Sequence, residues 1–221
     1  MKMSTKPART DVRARLQEAA VRLFAEQGVT GTTVAEIAKH AGVTSAMVHY
    51  YFKTKDQLLD AVVVEMLIGR FIAFISGALE GNEDNPAARI ERLVWRIVEA
   101  SDRFPWLPPL WIREVISEGG ALREKLIRRV DLRIPESFKA GIIAGQARGI
   151  VNAGINPQLL FMSIVALTMV PLSMAKSWDR IPLIGKVSKR DLGRHIVALL
   201  MDGISVKRGT LSGGESGRRK T

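Results

Sequence analysis

The side chains best suited to recognising another molecule are concentrated in one segment, residues 33–55, which reads TVAEIAKHAGVTSAMVHYYFKTK. Its second half is polar and aromatic, with hydroxyl groups, a histidine, two adjacent tyrosines and lysines. These groups donate or accept hydrogen bonds or carry positive charge. A short helix with such a surface, held across another helix, is suited to insertion into the major groove of DNA. The segment therefore predicts DNA binding, and the alternative is an ordinary helical hairpin.

Local signals in the same segment predict two short helices joined by a tight turn. Thr33 and Glu36 have the spacing of a capping box, in which a hydroxyl and a carboxylate each bond a free backbone N–H. Gly42 stands where a tight turn needs a residue that tolerates a positive φ. Thr44 is then predicted to cap the second helix, residues 45–51.

An enzyme is the first alternative class of protein, and the sequence gives it little support. His40, His49 and His195 lack the spacing of metal ligands, and no phosphate-binding loop or dinucleotide fingerprint is present. There is no cysteine, which excludes disulfides, thiolate metal sites and cysteine nucleophiles. We expect a protein that is not an enzyme and that needs no cofactor and no metal.

The charge balance indicates a polyanionic partner. The chain has 33 Lys and Arg against 22 Asp and Glu, a formal net charge of +11. This excess favours DNA, through counterion release, or an anionic membrane. Arg9, Arg13 and Arg15, near the start of the first predicted helix, are either a solvated face or phosphate contacts, and both interpretations stay open. The alternative function is a nonspecific, charge-driven DNA-binding or architectural protein without an effector.

No targeting or membrane segment is predicted. Residues 1–15 lack the apolar core of a secretory signal, so we expect a cytoplasmic protein. The most apolar run, residues 159–175, is short for a membrane span and is interrupted by Pro171. It predicts a helix buried in the core or in a dimer interface, and no membrane partner.

The periodicity of the whole chain predicts an all-α protein, with a three-helix DNA-binding head and a larger helical body. Pro135, inside a predicted helix over 121–146, either kinks that helix or marks the junction of two helices. A connecting helix over 55–79 is predicted to move the head when its far end shifts. The predicted divisions are a flexible basic arm over 1–8, a helix-turn-helix head over 9–54, a ligand-binding and dimerisation body over 55–208, and a disordered basic tail over 209–221.

Residues 9–60 closely resemble the DNA-binding domain of TetR-family transcriptional regulators, because TTVAEIAKHAGVTSAMVHYYFKTKDQLL follows the family signature nearly position for position. Beyond residue 60 the resemblance is one of architecture. It implies a homodimeric regulator, by analogy a repressor, that binds a palindromic operator. It also implies that the last two helices of each subunit form a four-helix interface.

The resemblance carries roles to individual residues of the head. Positions that face base edges hold Ser45, Ala46, Met47 and His49. Ser45 and His49 can hydrogen-bond to bases, while Ala46 and Met47 suit thymine methyl groups. Positions that usually contact phosphates hold Thr33, Thr44, Tyr50, Tyr51 and Lys55. A surface histidine and a core aromatic are the alternatives for His49 and Tyr51.

The resemblance also implies a small-molecule pocket in the body, whose filling moves the two heads apart and releases DNA. The candidate apolar lining is Met66, Phe71, Trp95, Phe104, Trp106, Trp111, Phe138 and Met162. Large aromatics with methionines predict an apolar or aromatic effector, and the alternative is plain hydrophobic core. Glu99, Arg113 and Glu114 are predicted either to orient a polar group of the ligand or to pair with each other.

Overall fold

A computed structural model describes residues 9–79, 85–131, 133–182 and 185–204. Every regular element in these ranges is a helix, which confirms the predicted all-α class. The predicted arm over 1–8 and tail over 209–221 lie outside the described residues.

The first three helices form a small bundle, which we call the head. Leu16 and Phe24 of the first helix and Ile37 of the second are fully buried in its core, and Phe52 of the third is 3% exposed. Gly28 ends the first helix with a φ of +83°, a conformation that favours glycine. The three helices are α1 Arg9–Gln27, α2 Val34–Ala41 and α3 Ser45–Phe52.

The next helix, α4, is helical without a break over 55–76 and joins the head to the rest of the chain. Leu58, Met66 and Phe71 lie on its buried side. It ends at Ser76 rather than at residue 79. Its three consecutive segments are the α-helical Lys55–Ala61, the wider π-helical Val62–Ile72 and the α-helical Ala73–Ser76.

The remaining helices form the body, packed around α5. Leu93, Val94 and Ile97 recur at helical spacing on α5 and are fully buried. The helices are α5 Pro86–Arg103, α6 Leu107–Leu110 continued by π-helical Trp111–Ile116, α7 Arg123–Ile127, α8 Arg133–Ala147, α9 Pro157–Ser173 and α10 Lys189–Ile204, with a 3-10 turn Ala175–Arg180 after α9.

Of the two predicted alternatives for 121–146, the structure shows two helices, α7 and α8, and not one kinked helix. Pro135 lies at the third position of α8. There its missing N–H removes no intrahelical hydrogen bond, since the first turn of a helix has no acceptor for it. The proline therefore marks the second of the two helices rather than a kink within one.

The apolar α9 has two different sides. Leu160 and Ile164 are buried, whereas Leu159, Met162 and Val170 are 57%, 67% and 47% exposed. Among the described residues, no helix is both long enough and apolar enough to cross a membrane. The described residues also contain no cluster of His, Asp and Glu that could hold a metal ion.

Candidate nucleic-acid interface

The start of α2 is held by the predicted capping box, which the structure confirms. The Glu36 N–H donates to the Thr33 hydroxyl at 3.2 Å, and the Thr33 N–H donates to the Glu36 carboxylate at 2.7 Å. The Thr33 N–H and hydroxyl hold the pKa of the Glu36 carboxyl below its ordinary value. Because the hydroxyl of Thr33 is engaged here, the amide groups of the helix start are what remains for a phosphate.

The turn between α2 and α3 depends on Gly42, whose φ is +67°. Its N–H donates to the Lys39 carbonyl at 3.1 Å, and the next N–H, of Val43, donates to the Ala38 carbonyl at 2.9 Å. A Cβ at this position would lie 2.9 Å from a guanidinium nitrogen of Arg15. Glycine is thus required by both the backbone conformation and the close neighbour.

Thr44 occupies the predicted N-cap position of α3 with extended backbone, but its side chain does not cap the helix. The hydroxyl makes no cap hydrogen bond, and the residue is exposed. A hydroxyl without an internal partner can bond a DNA phosphate without breaking a contact of the protein.

One side of α3 is open to solvent and the other packs on the head. Ser45, Ala46, His49 and Tyr50 are exposed and recur one helical turn apart, and Tyr50 is 53% exposed. We call these four residues the outer face of α3. The inner positions are the buried Val48 and Phe52, with Met47 and Tyr51 half-buried against the core.

His49 has one ring nitrogen in use and one available. Its Nδ1 lies 3.1 Å from the Lys53 carbonyl oxygen. Because a carbonyl only accepts, Nδ1 donates to it, which leaves Nε2 available for another hydrogen bond. An imidazole nitrogen at this place can hydrogen-bond to a base edge in the major groove.

Lys53 ends α3 in the left-handed region, with a φ of +49°, and is exposed beside His49. Sequence reasoning missed this position, because lysine carries no signal for a positive φ.

The ammonium group of Lys55 is hydrogen-bonded to backbone carbonyls of the protein. Its Nζ donates to the carbonyls of Val29 and Thr32, at 2.6 Å in each case. The lysine therefore ties the loop before α2 to the start of α4 and fixes the position of the capping box. The predicted contact of Lys55 with a phosphate stays a prediction. Any substitution of Lys55 also removes its hydrogen bonds to the loop before α2.

Two arginines of α1 bind neighbouring helices. Arg13 pairs with Glu65 of α4 through both terminal guanidinium nitrogens, with one distance of 2.5 Å, and its guanidinium lies 5.2 Å from the Phe52 ring centroid. The same contact raises the pKa of Arg13 and lowers that of Glu65. Arg15 donates to the Ala41 carbonyl at the end of α2. Both side chains have internal partners, whereas the side chain of Arg9 is outside the described structure.

A buried carboxylate joins the head to the body. Glu114 of α6 is 6% exposed, and its two oxygens accept from the backbone N–H groups of Val29 at 2.8 Å and Ala121 at 3.0 Å. Glu114 therefore binds backbone groups and not Arg113, and its predicted role in orienting a ligand stays a prediction. One partner, the N–H of Val29, lies 85 positions away, so no local pattern could have identified it.

Several predicted ligand-lining residues are paired in the core of the body. The rings of Phe71 and Trp111 are 5.5 Å apart, and those of Phe104 and Trp106 are 5.8 Å apart. Phe138 is 1% exposed and packs 5.9 Å from Phe161 instead of joining either pair. Met66 is fully buried on α4.

Other predicted lining residues point elsewhere. Trp95 packs against Gly193 of α10, where an added Cβ would lie 2.6 Å from the indole ring. Glu99 is exposed and pairs with Arg96 at 3.3 Å. The exposed Arg113 lies beside Gly28, 3.4 Å from where a Cβ would stand.

Met162 is 67% exposed on α9, and its predicted role in lining the pocket stays a prediction. It lies two residues from both Leu160 and Ile164, which are buried. A step of two residues on an α-helix turns to the opposite side.

Comparison with known proteins identifies relatives that cover both head and body. Residues 16–62 match the family of bacterial regulatory proteins described as the tetR family. The HTH-type transcriptional regulator BetI of Rhizobium meliloti is 30% identical over 145 residues, which cover 65% of this chain and 67% of BetI.

Two solved structures share the fold. The ketosteroid transcriptional regulator KstR2 of Mycobacterium tuberculosis has a TM-score of 0.68 at 20% identity, covering 92% of this chain and 98% of KstR2. The transcriptional regulator FadR of Bacillus subtilis, solved in complex with stearoyl-CoA, has a TM-score of 0.65 at 20% identity, covering 86% of this chain and 98% of FadR. At such identity the likeness shows the helical fold and no ligand.

Proposed function

The chain belongs to the TetR family of bacterial regulatory proteins, and we propose that it represses transcription by binding a palindromic operator as a homodimer, until a small effector binds the body. Like its relatives it is a DNA-binding transcriptional regulator and not an enzyme. The outer face of α3, held by the capping box and the Gly42 turn, is the observation that carries the proposal.

The proposal assigns sequence readout to the outer face of α3. Ser45 and His49 hydrogen-bond to base edges, and Ala46 contacts a thymine methyl group. Met47 is half-buried and Tyr51 packs 5.2 Å from Tyr50, so their contacts with DNA are made from the margin of this face. Thr44 and Tyr50 hold phosphates, with the amide groups at the start of α2.

We expect His49→Ala to reduce the preference for the operator over random DNA by about tenfold or more, because a base contact is lost. Thr44→Ala is the matched control, since its exposed hydroxyl has no cap hydrogen bond and its loss should weaken all DNA equally. Fluorescence anisotropy on the DNA flanking the gene, against scrambled competitor across a salt series, measures both effects. The assignment fails if both variants lose affinity for the operator and for random DNA by the same factor.

The same titration separates the proposal from its alternative. A specific regulator prefers its site by about 10³ or more at physiological salt, whereas a protein held by charge alone does not. Equal affinity for operator and scrambled DNA, with a steep salt dependence in both, would favour the nonspecific architectural protein.

Support for a dimer comes from the exposed apolar side of α9 and α10. Leu159, Met162 and Val170 of α9 are largely exposed, and Leu199 of α10 is 52% exposed. A stripe of large apolar side chains on adjacent helices is expected to be covered by another protein surface. A second copy related by a two-fold axis covers it and spaces two α3 helices for half-sites one helical turn, or a multiple, apart.

Met162→Glu is expected to shift the protein from dimer to monomer, because it buries an unpaired charge in the proposed interface. Sedimentation equilibrium measures this. Ile127→Glu is the matched control, as Ile127 is 57% exposed on α7, outside the stripe. A Met162→Glu protein that stays dimeric would place the interface elsewhere.

The proposed effector is apolar or aromatic. The pair of the buried Phe71 and the half-buried Trp111 supports this, as do the ketosteroid in the name of KstR2 and the stearoyl-CoA bound to FadR. An effector releases DNA only if it binds the DNA-free arrangement more tightly than the DNA-bound one. Thermal stabilisation across a library tests the class, and hits confined to polar compounds that lack a ring or an apolar body would reverse it.

A further inference from the structure

We propose that a groove between head and body binds a ring-bearing organic anion. The groove lies between α1, α4, residues 103–109 and the end of α9, and has a volume of about 1160 Å³. We call it the junction groove. This inference deepens the proposed function by naming the class of effector and where it binds, and its effect on DNA rests on that function.

The floor of the junction groove is aromatic. Phe74, Phe104 and Trp106 line it, and the Phe74 and Phe104 rings meet edge to face at 6.5 Å. Phe104 and Trp106 are 8% and 7% exposed, so each offers a small part of its ring to the groove. A ring or apolar body laid on this floor removes apolar surface from water.

The walls of the junction groove carry an excess of positive charge. Arg22, Arg103 and Lys176 line it, and none of them forms an ion pair with another residue in the described ranges. Arg70 also lines the groove but is already paired with Glu18. The remaining acidic residue of the lining is the exposed Glu26, so three free cations face one free carboxylate.

Arg103 is placed to hold a carboxylate. Its guanidinium lies over two aromatic rings, 5.4 Å from the Phe74 centroid and 5.6 Å from the Phe104 centroid. A guanidinium attracted to the faces of aromatic rings still has N–H donors available for an anion. A planar fork of donors fits a carboxylate with two parallel hydrogen bonds. The floor and Arg103 together therefore select a molecule with a ring and an attached anionic group.

The position of the groove connects binding to DNA release. Arg22 belongs to α1 of the head, whereas Lys176 belongs to the 3-10 turn after α9 of the body. An anion between them favours one spacing of head and body over others. Because coupling is reciprocal, a ligand that weakens DNA binding by some factor must itself bind the DNA complex more weakly by the same factor.

The test uses 2-naphthoate as the anionic probe and 2-naphthalenemethanol as its neutral counterpart, titrated calorimetrically into the full-length protein. We expect saturable binding of 2-naphthoate and affinity for the alcohol lower by about tenfold or more. Arg103→Gln and Lys176→Gln should each lower 2-naphthoate affinity by about tenfold. Arg128→Gln is the matched control, because Arg128 is exposed on the body outside the groove, and it should bind as the wild type does.

Equal affinity for acid and alcohol, unchanged binding in both groove variants, or no saturable binding at millimolar probe would each overturn the site. DNA binding is measured separately without probe, and the groove variants should retain it. If the wild type shows no sequence-specific DNA binding, the proposed function is refuted, whereas the binding of 2-naphthoate to the junction groove still stands. Probe binding that leaves DNA affinity unchanged would overturn the effector role assigned to the groove.

Discussion

The helix-turn-helix segment of the head and the junction between head and body are held by interactions of different range. In the head, Glu36 and Thr33 are three residues apart, and Gly42 bonds the end of the helix that precedes it. In the body, Glu114 binds the N–H of Val29, which is 85 positions away. Local contacts make the head recognisable in a sequence, whereas the body and its junction with the head depend on contacts that only folding creates.

The largest expected effect tests the long-range contact of Glu114 between body and head. Glu114→Ala should lower the free energy of unfolding by about 2–5 kcal/mol, because it leaves the buried N–H of Val29 and the half-buried N–H of Ala121 without an acceptor. Glu114→Gln retains one acceptor oxygen and should lose about half as much. Urea unfolding followed by tryptophan fluorescence measures both variants.

The exposed Glu118 provides the control for this experiment, since Glu118→Ala removes the same charge from the surface of the same region. A loss in Glu114→Ala no greater than in Glu118→Ala would show that head and body do not depend on this carboxylate.

A smaller effect is expected from a substitution in the local turn between α2 and α3. Gly42→Ala should cost about 1–2 kcal/mol from the left-handed backbone alone, with more if Arg15 cannot move away from the new Cβ. Gly149→Ala in the body is the matched control, because its φ is +69° and nothing lies within 4 Å of the added Cβ. The difference between their thermal unfolding curves isolates the contact with Arg15. Equal losses would mean that the turn is held by backbone conformation alone.

The smallest expected effect concerns the pair between Arg13 and Glu65, whose side chains are 37% and 39% exposed. Solvent screening limits the contribution of such a pair to about 0.5 kcal/mol. Because Arg13 lowers the folded-state pKa of Glu65, this contribution is present above the unfolded-state pKa, about 4.3, and is lost as pH falls through the folded value.

Unfolding of the wild type and Glu65→Gln across pH 3 to 7 measures this contribution. The two proteins should differ at neutral pH and converge in acid. A difference that persists at the lowest pH would assign the effect to packing instead of charge.

The sequence by itself determined the all-α class, the capping box, the positive φ of Gly42 and the family of the protein. Each depends on residues a few positions apart, where the backbone's own geometry decides which groups meet. The division of the stretch 121–146 into two helices was not determined, because Pro135 is compatible with both a kink and a helix start.

Tertiary structure alone decided how the long side chains are used. Lys55 and Arg13 are long basic residues of the kind that contact DNA phosphates. In the folded protein, however, Lys55 binds the loop before α2 and Arg13 binds Glu65. Met162 and Phe104 are both large and apolar, yet one faces solvent on α9 and the other lines the junction groove. A flexible side chain takes whichever partner folding brings within reach, and that choice depends on helices that lie far apart in the chain.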